Sequence, residues 1–160
     1  MLVGSAAIFA WLELVPESMA MSREADLYAA DVSEAEAELI ADQLENIGHH
    51  SDFDETYGYY ADGVGPETAV LPNDWRDRSK VYETPATKGV QGIVPHPEDI
   101  ALSKLCAGRE KDLDWVSAAY GAQLIDLDTM VARLEKLPGR SNAERRHIHS
   151  LIEIARLTRS

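Results

Sequence analysis

The feature that most constrains this chain lies in its first 28 residues. A short apolar run breaks at Gly4-Ser5, and an acidic pair stands two residues apart in Ser22-Arg23-Glu24-Ala25-Asp26-Leu27-Tyr28. This pattern reads as a strand, a tight glycine turn into a helix, and a second strand. Alternate residues of a strand share one face, so the carboxylates of Glu24 and Asp26 are expected to point together toward the Gly4-Ser5 turn. Backbone amides at a helix start donate to phosphate oxygens, and paired carboxylates suit a Mg²⁺ ion that bridges such oxygens. The pattern therefore fits a nucleoside triphosphate held with Mg²⁺, provided the fold joins turn and strand. The plainer alternative is a glycine that only opens a helix and two solvated acids at a strand edge.

Periodicity downstream sets the expected frame. Residues 6–15 read as a buried helix stopped at Pro16, and residues 25–32 as a strand. Ser33 and Glu36 form a capping box, opening a helix that ends near Gly48 with Leu39, Ile40, Leu44 and Ile47 as its buried stripe. Strand candidates follow at Tyr57-Gly58-Tyr59-Tyr60-Ala61-Asp62, bent at Gly58, and at Thr68-Ala69-Val70-Leu71, closed by Pro72-Asn73. Further candidates are Val81-Tyr82 and residues 90–94, whose hairpin-sized separation predicts antiparallel pairing and a mixed sheet. Helices are expected from Pro97-Glu98-Asp99 onward, then over 111–120, 127–137 and 142–156. The expected fold is α/β (α+β), with a small mixed sheet and two helices over 1–95 and a helical part over 96–160. Residues 1–160 are read as one domain.

Charge narrows the partners. A net charge of -13, from 28 acids against 15 Lys and Arg, argues against nucleic-acid binding except at a local basic patch. Acids crowd residues 34–77, and Arg140, Arg145, Arg146, Arg156 and Arg159 make the carboxyl-terminal end basic, a pattern read first as a solvated helix face. The single cysteine, Cys106, excludes an internal disulfide and a multi-cysteine zinc site, and reads as a buried, inert thiol. No apolar stretch reaches membrane-spanning length. The amino-terminal run has no basic start and is interrupted by Glu13, unlike a signal peptide, so a cytoplasmic location is expected. Met1 stands directly against Leu2-Val3-Gly4, which points to a native start upstream or to a trimmed chain.

A second group of residues suits the same ligand. In Leu102-Ser103-Lys104-Leu105-Cys106-Ala107-Gly108-Arg109-Glu110-Lys111-Asp112, Lys104 can neutralise a nucleotide phosphate and Arg109 can grip an acid or a phosphate bidentately. The alternative for Arg109 is a structural salt bridge with Asp112 across a helix junction at Gly108, and Asp112 and Asp114 are read as structural. Asp62 is the expected third acid, as general base or as a further cation ligand, with Glu67 as fallback. Asp52, Asp54 and Glu55 read as loop solvation. His49-His50 and the His147/His149 pair read as too divergent to ligate a metal. Trp11, Trp75, Trp115, Tyr57, Tyr59 and Tyr60 read as core.

Taken together, Val3-Gly4-Ser5-Ala6-Ala7 and Ser22-Arg23-Glu24-Ala25-Asp26-Leu27-Tyr28 resemble the glycine-serine and paired-acid motifs of the polymerase-beta-like nucleotidyltransferase superfamily. The fuller resemblance is to a bacterial nucleotidyltransferase-like family of unknown function related to AbiEii-type toxins. It is carried also by Tyr57-Gly58-Tyr59-Tyr60-Ala61-Asp62-Gly63-Val64, by residues 67–72 with Trp75-Arg76-Asp77-Arg78, and by residues 103–112, and it spans about residues 2–140. The resemblance implies a nucleotidyltransferase fold, Mg²⁺ as cofactor at Glu24 and Asp26, and a nucleotide near Lys104. It also implies an acceptor that is an RNA such as tRNA or a protein, and an antitoxin or regulator protein as partner. Two further readings stand beside catalysis: a catalytically silent protein-binding module, and a nucleotide sensor that binds without transfer.

Overall fold

Strand pairing starts at the first residue. The Met1 ammonium donates to the Tyr28 carbonyl at 2.6 Å, and the Tyr28 N–H donates back to the Met1 carbonyl at 2.8 Å. Strand β1 (Leu2–Val3) thereby lies antiparallel to β2 (Glu24–Leu27), and β2 runs parallel to β3 (Tyr60–Gly63), giving a mixed sheet of order β1-β2-β3. The computed structural model describes the chain except residues 13, 14, 17, 18, 20, 21, 159 and 160, and the side chain of Pro66.

The expected strand over 25–32 stops at Leu27 because its partners end there: Leu27 is opposite Leu2 on one side and Gly63 on the other. The helix expected over 6–15 is a short 3-10 turn, Ser5–Ala10, of which Ala7 and Ile8 are buried; Glu13 and Leu14 lie outside the described residues. Three contacts clamp this turn: the Trp11 indole donates to the Pro95 carbonyl at 2.8 Å, Lys80 donates to the Ala10 carbonyl at 2.9 Å, and the Tyr82 hydroxyl donates to the same carbonyl.

Helix α1 (Glu34–Leu44) carries the expected Ser33/Glu36 capping box and continues as a 3-10 turn, Glu45–Ile47. Its expected buried stripe is corrected: no residue of α1 is buried, and Leu39 and Ile40 stand in solvent. The bent strand expected from Tyr57 is instead the end of helix α2 (Asp52–Tyr57), followed by β3. Gly58 closes α2 with φ +76°, a left-handed conformation that glycine adopts without a Cβ penalty. Residues 68–71 form no strand: Thr68 ends the 3-10 turn Pro66–Thr68, and the chain then buries Leu71 and Pro72. Strands β4 (Lys80–Tyr82) and β5 (Gly92–Val94) pair antiparallel, as expected, but in a separate two-stranded sheet.

Helices α3 (Pro97–Ala107), α4 (Glu110–Gly121), α5 (Leu127–Arg133) and α6 (Asn142–Leu157) make up the carboxyl-terminal half. α3 lies at the centre, packed on α4, α5, α6 and the Ser5–Ala10 turn. It is buried along most of its length, with Ile100, Ala101, Leu102 and Leu105 joining Trp115, Val116, Met130, Ile148 and Ile152 in one core. Charge inside this core is compensated. Asp99, fully buried, accepts two hydrogen bonds from Arg78 at 2.6 and 2.8 Å and one from Arg133 at 3.0 Å. Because Arg78 belongs to the 3-10 turn Trp75–Arg78, this pair ties the loop ahead of β4 to the central helix.

Candidate functional site

The turn after β1 places Gly4 directly over β2. Its φ is +69°, and a Cβ built there would meet the Asp26 carboxylate oxygen at 1.8 Å, so only glycine lets turn and acid approach this closely. Asp26 and Asp62 are register partners on the parallel strands β2 and β3, and Glu24 stands two residues before Asp26 on the same strand. The three carboxylates each offer an oxygen within 4.8 Å of the others. None of the three has a basic salt-bridge partner among the described residues. Burial, a hydrogen bond shared with Glu24, and the charges of Glu24 and Asp62 push the Asp26 carboxyl up to about 7. An acidic cluster that resists its own ionisation has the charge deficit that a cation fills, and all-oxygen donors match the preference of Mg²⁺.

Lys104 approaches from α3. Its ammonium is buried, donates to the Ser5 hydroxyl at 2.8 Å and to Asp112 at 3.4 Å, and lies 5.0 Å from the centre of the Trp115 ring. Burial pulls its pKa below the ordinary lysine value, against the opposing pull of Asp112. Asp112 is 1% exposed and also accepts two hydrogen bonds from Arg109, at 2.6 and 3.1 Å. Burial works against its ionisation, but Arg109 and Lys104 outweigh that effect and hold the carboxyl below its usual range. The α3–α4 junction thus carries a relay from Arg109 through Asp112 and Lys104 to Ser5. The structural pairing of Arg109 with Asp112 is present, while the outer part of Arg109 stays exposed and lines the cavity.

Gly4, Ser5, Glu24, Asp26, Lys104 and Arg109 border one cavity of about 790 Å³ together with Tyr60, Pro95 and Trp115, and Asp62 stands beside Asp26 outside its lining. That volume falls within the range of small-molecule sites. Glu67 sits in the Pro66–Thr68 turn, outside the acidic cluster.

Several expected roles change. Asp54 is not solvating a loop: it is 5% exposed, pairs with Arg23 at 2.5 Å and accepts the His50 N–H at 3.1 Å. The two histidines converge rather than diverge, stacked at 3.8 Å, and reach within 4.8 Å of the Asp54 carboxylate, but that carboxylate is already held by Arg23. Trp115 is core, whereas Tyr57 and Tyr59 are exposed beside Phe53. Much of the basic carboxyl-terminal patch is spent internally. Arg140 pairs with Glu144, Arg156 pairs with Asp128, and Arg145 donates to the Leu134 and Leu137 carbonyls; Arg159 lies outside the described residues. Cys106 is partly buried, and burial pushes its thiol up, away from the reactive thiolate. Among the described residues no helix is long and apolar enough to cross a membrane.

Residues 1–156, which contain the acidic cluster, the Gly4-Ser5 turn, Lys104 and Arg109, match the family model described as nucleotidyltransferase of unknown function (DUF6036). No curated protein and no solved structure matches the chain.

Proposed function

We propose a reaction for this chain, which belongs to the family of nucleotidyltransferases of unknown function: it moves a nucleoside monophosphate from a nucleoside triphosphate to an RNA or protein acceptor. The observation that carries this reading is the convergence of Glu24, Asp26 and Asp62 beneath the Gly4-Ser5 turn. Glu24 and Asp26 would hold Mg²⁺, with Asp62 as a third ligand or as the proton acceptor. When bound, the ion supplies charge neutralisation for the triphosphate and for the oxygens of the displacement.

The chain's own groups do the rest. The amides of the Gly4-Ser5 turn donate to phosphate oxygens. Lys104, held by Ser5 and Asp112, brings a fixed positive charge to the cavity wall, where low exposure strengthens its effect. Arg109 offers its exposed edge to the departing pyrophosphate. The acceptor hydroxyl attacks the α-phosphorus as the bond to the bridging oxygen breaks and pyrophosphate leaves, and Asp62, in its role as proton acceptor rather than ligand, takes the hydroxyl proton on its carboxylate. As a further part of this proposal, the reaction serves a toxin–antitoxin or phage-defence pair in the cytoplasm, the role that the sequence resemblance to AbiEii-type toxins implies.

The test is incubation of purified protein with Mg²⁺, each α-labelled nucleoside triphosphate, and total tRNA or a protein acceptor. Labelled acceptor is expected with the wild type, and at least a hundredfold less with Asp26→Asn. Nucleotide binding without transfer in every combination would reassign the site to nucleotide sensing. No binding at all would leave a silent scaffold.

A further inference from the structure

Helix α1 is the one helix of eight residues or more, among those described, that buries none of its residues. It touches β3 through its small residues, where the Ala41 backbone and side chain lie against Gly63 and Leu44 packs beside them. The opposite face is open. Ala35 and Leu39 stand four positions apart there, and Val32 lies just ahead of the helix, before the extended Ser33 cap; Leu39 is 57% exposed, Val32 41%, and Ile40, on the adjoining flank, 36%. Along one flank of this apolar row stand Glu34, Glu38 and Asp42, at intervals of four residues, which places like charges side by side on the helix surface. None of these three has an ion-pair partner among the described residues, and no Lys or Arg occurs in the sequence between Arg23 and Arg76.

This combination selects the occupant by charge. A second copy of the chain would set acidic row against acidic row on a molecule of net charge -13. Nucleic acid and anionic membrane are repelled for the same reason. A cationic amphipathic helix has the complementary chemistry. Its apolar row covers Leu39 and Ala35, with Val32 and Ile40 at the margins of the contact, and its Lys or Arg side chains lie along Glu34, Glu38 and Asp42. We infer that the outer face of α1 is a docking surface for a basic amphipathic helical segment of a partner protein. The inference is independent of nucleotide transfer, although the surface lies across β3 from the acidic cluster that includes Asp62.

The test uses the full chain and a defined probe, a 20-residue Leu/Lys amphipathic helical peptide, with a scrambled peptide of equal composition as control. Binding is followed by fluorescence anisotropy and by amide chemical shifts. The expected result is preferential binding of the amphipathic peptide, with shifts confined to 32–47 and a loss of at least tenfold on raising salt from 50 to 300 mM. Leu39→Lys, and separately Glu38→Lys/Asp42→Lys, are each expected to weaken binding at least tenfold. Because these side chains are exposed, circular dichroism should be unchanged, and nucleoside triphosphate binding should match the wild type. Equal binding of the scrambled peptide, shifts elsewhere, or indifference to both variants would overturn the proposal. Self-association of the chain alone that Leu39→Lys abolishes would also overturn it, by assigning the face to a second copy.

Discussion

At the scale of single residues, Asp26 is where the physical conflict of the site is greatest. Three carboxylates share a small volume, and the Asp26 proton is held up to about pH 7 by burial and by Glu24 and Asp62. The consequence for metal-free protein has a definite sign. The native carboxyl binds its proton more tightly than the unfolded one, whose pKa is 3.8. The stability this contributes is fully present below the unfolded value and is lost as pH rises through about 7. In EDTA, thermal unfolding should therefore show a Tm falling by a few degrees from pH 5 to pH 8, and Asp26→Asn should remove most of that slope. The strongly depressed acids, Asp74 and Glu144, both at about 2, titrate well below this window. Much of this cluster was legible in the sequence. Period-two alternation puts Glu24 and Asp26 on one face, and Asp62 ends a run with strand character. Asp54 was not legible, because only the folded chain brings Arg23 to it, 31 positions away in sequence.

At the scale of elements, the α3–α4 junction governs the cation side of the cavity. Lys104 and Asp112 are both buried, and each is the other's principal compensation apart from Arg109 and Ser5. Removing one partner of a buried pair leaves an uncompensated charge, which costs on the order of 3 kcal/mol. Asp112→Ala should lower stability by about that amount in urea unfolding. An unchanged denaturation midpoint would show that Lys104 finds solvent instead. Helices with strong local signals were readable: the Ser33 and Ser141 capping boxes and the proline start of α3 lie in short stretches of sequence. Pairing and burial were less readable. Residues 68–71 have the composition of a strand, yet the chain buries Leu71 and Pro72 without forming a ladder. The apolar positions of α1 have helical spacing, but periodicity specifies a face and not what covers it; three short strands leave most of that face open.

At the scale of the whole molecule, two regions distant in sequence meet across one cavity. The small sheet supplies the acids, and the helical half supplies Lys104 and Arg109. The hydrogen bond from Lys104 to Ser5 joins them over a separation of 99 residues, and the clamp on the Ser5–Ala10 turn by Trp11, Lys80 and Tyr82 keeps that turn in place. The parts of this assembly could be named from sequence, but their meeting depends on long-range contacts that no local pattern encodes. In the proposed reaction, turn, acids and lysine act as one metal–nucleotide site. The most direct test of that joint role is the anomalous diffraction of Mn²⁺ in crystals grown with a non-hydrolysable nucleoside triphosphate. A Mn²⁺ peak coordinated by Glu24 and Asp26 is expected, with Asp62 adjacent and the triphosphate spanning the Gly4-Ser5 turn and Lys104. A cavity without the ion under saturating Mn²⁺, or a triphosphate bound away from Lys104, would contradict it.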